Sequence, residues 1–121
     1  MYNQFISGFD EALNDAFTDL KSQNVTELVL DLRYNLGGSV TSAISLASMI
    51  TGQFTDEVFN KQEWNSEYQS FFEANNPERL INSFTTTLFN DSSTPIASLN
   101  LNKVYISVSY THLTLPTILL V

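Results

Sequence analysis

The chain has 121 residues, of which 43% are hydrophobic and 12% aromatic, a composition that suits one globular domain with a modest core rather than a disordered chain. Five Lys and Arg against thirteen Asp and Glu leave a net charge of −8, which argues against nucleic acid and anionic membrane surfaces as partners. Cysteine is absent, so a disulfide framework, a zinc knuckle and a thiol nucleophile are all excluded. No apolar run reaches the length of a membrane-spanning helix, and the opening Met1-Tyr2-Asn3-Gln4-Phe5 has neither the basic region nor the apolar run of a signal peptide.

The first predicted element is a helix over residues 8–23. Phe9, Ala12, Leu13, Ala16, Phe17 and Leu20 recur at the i, i+3, i+4, i+7 spacing of one buried face. Asp10, Glu11, Asn14, Asp15, Thr18 and Asp19 fall on the opposite face, which reads as solvated. Ser7, three residues before Asp10, gives the pattern of a capping box, and Lys21 in the last turn suits the helix dipole.

Residues 27–32 are almost continuously apolar and predict a strand buried on both faces, as in a parallel sheet. A loop over 33–39 follows, then a second helix over 40–50. Val40, Ala43, Ile44, Ala47 and Ile50 share one face of that helix, with Leu46 and Met49 widening it, and Gly52 is its stop signal. Further on, the pattern predicts an extended segment over 57–64, a short helix over 66–74 and an extended stretch over 80–89. A turn over 90–95 and a strand over 101–107 complete the reading. The order of elements predicts an α/β layer architecture. Trp64, Tyr68, Phe71 and Phe72 suit either a peptide groove or packing, and packing is the favoured reading. The adjacent acids Asp10-Glu11 and Asp56-Glu57 read as solvated, because no Asp-x-Asp-x-Asp-Gly loop accompanies them.

The chemistry-bearing stretch is Asp31-Leu32-Arg33-Tyr34-Asn35-Leu36-Gly37-Gly38-Ser39. A buried strand delivers the chain to a glycine pair, and a helix starts straight after it. Without a Cβ, Gly37 and Gly38 reach backbone conformations closed to other residues and let a ligand approach closely. Amides at such a turn, beside a helix N-terminus, form a site for negative charge of the kind an oxyanion hole requires. Neither Gly-x-x-x-x-Gly-Lys-Ser/Thr nor Gly-x-Gly-x-x-Gly is present, so no nucleotide loop is indicated.

The string Leu30 to Val40 resembles the Asp-Leu-Arg-x-Asn-x-Gly-Gly signature of the C-terminal processing, or tail-specific, serine peptidases. The versions in envelope proteins of Bacteroides-like bacteria are the most similar, with Leu36 departing from their usual Gly or Pro. The resemblance covers residues 1–107 and implies an α/β fold, part of a ClpP/crotonase-like superhelix truncated at both ends. It implies a serine nucleophile, a lysine base, and Gly37 or Gly38 as one donor to the oxyanion hole. Asp31, Arg33 and Asn35 are then structural, Arg33 pairing with a carboxylate and Asn35 bonding the backbone of the turn. The implied partner is a peptide or protein substrate. No metal and no cofactor are implied, and the implied location is the periplasm or cell envelope.

Residues 108–121 do not match the Ser-Ala-Ser and Glu segment that follows in those peptidases. Ser-Tyr-Thr-His-Leu-Thr-Leu-Pro-Thr resembles translated sequencing-adapter sequence instead, and Met1 reads as an internal methionine. The expectation is therefore that no catalytic residue lies in this chain. Ser107 and Ser109 are not read as nucleophiles, Lys103 precedes the strand and is not read as the base, and His112 falls in the non-matching tail.

Overall fold

The computed structural model describes residues 1–109. A 3-10 turn at Ser7–Phe9 leads into helix α1 (Asp10–Ser22). Strand β1 (Val29–Asp31), the loop and helix α2 (Val40–Thr51) follow. Strand β2 (Val58–Lys61), helix α3 (Ser66–Asn75), a 3-10 turn at Pro77–Leu80 and strand β3 (Ile81–Ser83) come next, and strand β4 (Tyr105–Ser107) lies near the end. β1 pairs with β4 in parallel, Val29 opposite Tyr105 and Asp31 opposite Ser107, while β2 and β3 form an antiparallel pair. The α/β expectation is met, with a parallel crossover as the strand and helix order requires.

The best-specified helix is α2. Ser39 caps it through its side chain, which accepts the Ser42 amide, and Gly52 ends it at φ 68° in the left-handed region. Its apolar face supplies Leu46, Met49 and Ile50 to a core that also holds Phe17, Leu88 and Leu101. In α3, Asn65 accepts the Tyr68 amide at 3.1 Å and so caps a helix that the pattern located within a residue.

Two expectations for the early elements need correction. β1 covers only Val29–Asp31 of the predicted 27–32, and at its C-terminal end the chain turns away where the Asn35 amide donates to the Leu32 carbonyl at 3.0 Å. It is also not buried on both faces: Leu28 and Leu30 pack on the core, while Val29 is 69% exposed. In α1, the buried stripe is rotated from the one the apolar pattern marks. Phe9, Ala12 and Ala16 are exposed, whereas Asp10 and Asn14 are buried beside Phe17. The capping box does not form either, since no side-chain bond caps α1.

Both buried polar residues are tied to distant segments. Asn14 Nδ2 donates to the Pro95 carbonyl at 3.1 Å, and Asn14 Oδ1 accepts the Ala97 amide at 2.8 Å, clamping residues 95–97 onto α1. Asp10 is fully buried and accepts a bond from Ser42 Oγ at 3.0 Å, joining α1 to the first turn of α2. Its Oδ1 meets no hydrogen-bond partner among the described residues. Burial holds the Asp10 carboxyl above its ordinary range, the Ser42 bond opposing this only in part.

A carboxyl whose pKa is raised by folding contributes fully at pH values below its unfolded range, and the contribution is lost as pH climbs through the raised value. Asp10→Asn keeps an acceptor for Ser42 without the buried charge. The variant is expected to melt higher than the parent chain at neutral pH, with the difference shrinking at acid pH; thermal unfolding across a pH series checks this. Asn14→Ala is expected to cost about 1–3 kcal/mol in denaturant unfolding, because two backbone groups lose their partner.

Candidate active site

β1 hands the chain to the loop at Leu32, and the N-terminal segment runs beside that loop. The Tyr2 amide donates to the Asp31 carbonyl at 2.9 Å, and the Leu36 amide donates to the Asn3 carbonyl at 3.0 Å. Asn35, only 8% exposed, bonds in both directions. Its Nδ2 donates to the Tyr2 carbonyl at 2.9 Å, and its Oδ1 accepts the Gly37 amide at 2.7 Å. The Phe5 amide then donates to the Gly37 carbonyl at 2.9 Å, and the Ser39 amide donates to the Phe5 carbonyl at 2.8 Å.

Those last two bonds make a parallel bridge between Phe5 and Gly38. In this pattern both backbone groups of Phe5 face the loop, so the N–H and C=O of Gly38 turn to the opposite side. Gly37 and Gly38 sit at φ 84° and 135°, where other residues are strained. A Cβ at position 38 would fall on the Phe5 carbonyl oxygen. The outcome separates the two glycines. The Gly37 amide is taken by Asn35, while the Gly38 amide has no acceptor among the described residues.

Arg33 and Asp31 form a two-pronged ion pair at the mouth of the loop. Arg33 Nη2 donates to Asp31 Oδ2 at 2.8 Å and Nε donates to Oδ1 at 3.0 Å, with the Arg33 amide adding a third bond to Oδ1 at 3.0 Å. These donors lower the Asp31 carboxyl from 3.8 to about 2. The pair is solvent-facing, so it fixes local geometry more than it adds stability.

The remaining candidates lie elsewhere. Ser107 ends β4 opposite Asp31 and gives its carbonyl to the Leu32 amide at 2.7 Å; no hydrogen bond joins its hydroxyl to Lys103. Lys103 Nζ lies over the Tyr105 ring, 4.5 Å from its centre. His112 lies outside the described residues. No group of three or more His, Asp or Glu side chains able to hold a metal occurs among the described residues. Asp56 and Glu57 are exposed, as the sequence reading had them, whereas Asp10 is not. Of the aromatic group only Phe72 is buried. Trp64, Tyr68 and Phe71 stand exposed around it, so packing holds for one member among the described contacts.

A backbone amide fixed at a glycine turn and without an acceptor among the described residues is a site where negative charge can be bound. The model of peptidase family S41 matches residues 1–120, and the chain belongs to that family. A crystal structure of an S41 protease described from Bacteroides fragilis NCTC 9343 superposes with a TM-score of 0.71 at 30% identity, over 90% of this chain and 27% of that one. The chain thus spans about a quarter of the length of that structure. No curated protein matches it.

Two outcomes test this loop. A carboxylate titration of Asp31 by NMR is expected to centre at about 2, and Arg33→Ala should return it toward the ordinary carboxylate range. Gly38→Ala is expected to destabilise by about 1–3 kcal/mol in denaturant melts, and by more than Gly37→Ala, because only position 38 faces the Phe5 carbonyl.

Proposed function

We propose that this chain is the oxyanion-binding part of a serine peptidase of the serine–lysine type, one that cleaves peptide bonds in C-terminal or unfolded protein segments. The observation that carries the reading is the Gly38 amide, held outward by the Phe5 bridge and left without an acceptor among the described residues. In this reading the serine nucleophile, the lysine base and the second oxyanion donor are none of the residues 1–109, and the 121-residue chain by itself is expected to be inactive.

In that role Gly38 N–H would donate to the carbonyl oxygen as charge builds on it during attack. The donor is fixed before the reaction, so no reorganisation accompanies the developing charge. Asp31, Arg33 and Asn35 would hold the loop and touch no reacting atom. The resemblance to envelope members supports a periplasmic or envelope location for the parent protein. Cell fractionation of the native producer tests that point.

A second reading follows from the outer edge of β4, which has no partner strand among the described residues. It is a non-catalytic module that captures an extended peptide by strand addition. Fluorogenic peptides separate the readings from any hidden activity. The purified chain is expected to give no hydrolysis above buffer, since loss of a nucleophile or base costs orders of magnitude in rate. Hydrolysis that disappears in Ser107→Ala or His112→Ala would overturn the inactivity.

A further inference from the structure

We propose that the ring face of helix α3, made by Trp64, Tyr68 and Phe71 with Glu67 beside them, is a docking surface for an arginine-bearing extended segment of a partner polypeptide. None of these residues belongs to the glycine loop, so the inference stands apart from the oxyanion reading. It starts from the burial of one ring and the exposure of three. Phe72 is the one buried residue of α3. Trp64, Tyr68 and Phe71 lie around it, with ring centres 5.7, 6.4 and 5.7 Å from its own. They are nonetheless 46%, 53% and 57% exposed. Single exposed apolar side chains are ordinary, but three rings grouped at one short helix have the composition of an interface.

The chemistry of the partner follows from the charges around the rings. Between residues 62 and 78 the chain carries Glu63, Glu67, Glu73 and Glu78 and neither Lys nor Arg. All four are exposed, and none forms an ion pair among the described residues. Gln69 donates to Glu73 at 2.7 Å, which leaves Glu67 free of that bond. Glu67 stands four positions before Phe71 and next to Tyr68, so a cation over those rings would also meet a carboxylate.

The chain itself shows that a guanidinium fits such a ring. Arg79 lies over Phe72, 4.9 Å from the ring centre. Arginine is favoured over lysine because its planar group stacks on an aromatic face and is more weakly hydrated. The same charges disfavour other occupants. A second copy of this chain would bring a net charge of −8 against an acidic face, and an anionic membrane surface or nucleic acid would be repelled in the same way.

Trp64 is the only tryptophan of the chain, so its fluorescence and its indole N–H signal report on this face alone. The test titrates the isotope-labelled 121-residue chain with blocked peptides of the form Gly-Xaa-Gly-Xaa-Gly, Xaa being arginine, lysine, leucine or glutamate. The arginine peptide is expected to shift the Trp64 signal saturably and to bind more tightly than the lysine peptide, with the leucine and glutamate peptides weaker still. Tyr68→Ala or Phe71→Ala should weaken the arginine peptide by about two- to fivefold, with the fold kept because both rings stand in water. Glu67→Gln should weaken it by about twofold and flatten its dependence on salt. Phe89→Ala, at an exposed ring outside α3, should change nothing. Equal binding of the arginine and lysine peptides, tighter binding of the leucine peptide, or unaltered affinity in Phe71→Ala would overturn the proposal. So would a Trp64 signal that shifts with protein concentration alone, the mark of a second copy on this face.

Discussion

The structure turns on the contact between the Phe5 carbonyl and the backbone at position 38. The N-terminal segment can close on the loop only where no Cβ intervenes, and that closure fixes the peptide planes on either side of Gly38. The rest of the local geometry follows from it. Leu36 is tied to Asn3, Asn35 reaches the Tyr2 carbonyl, and Ser39 is placed to cap α2. A six-residue stretch with little regular structure therefore acts as the brace of the loop. The sheet supplies position, and the brace supplies orientation.

Electrostatics around the loop follow one pattern, in which each strong polar group nearby is already satisfied. Asp31 and Arg33 satisfy each other, and the Asn35 amide is divided between Tyr2 and Gly37. What remains is one backbone donor. The helix α2 starts directly behind the donor, so its first-turn amides add to the positive potential there.

Much of this was readable in the residues where local conformation dictates the residue type. Gly37, Gly38 and Gly52 mark backbone in the left-handed region, and Ser39 and Asn65 mark helix starts, because in each case few residues serve. The apolar period of α2 marked Ile44 and Ile50 as buried, but Val40 at its start is exposed and Ser42, Ser45 and Ser48 are buried, which the period does not show. Asp10 and Asn14 were misread because a polar residue on a helix is ordinarily solvated, and the partners that make burial possible are remote: Ser42 for Asp10, Pro95 and Ala97 for Asn14. No local pattern encodes such a pairing. The choice between the two glycine amides was hidden likewise, since it depends on Asn35 and on an N-terminal segment more than thirty positions away. β1 looked buried on both faces because a run of Leu and Val carries no sign of which face meets the core.

The Asn14 clamp has a consequence for how the chain folds. Its two bonds join residues 81 and 83 positions apart, and the β1–β4 pairing likewise joins the first described strand to the last described one. Helices α1 and α2 can form from neighbours, but the loop's supporting sheet must wait for β4 to arrive. Contacts of such span slow folding, because the entropy of closing the chain is lost before the contacts reward it. The glycine loop is thus set late, by the last described strand, although nearly all of its own residues lie in the first third of the chain.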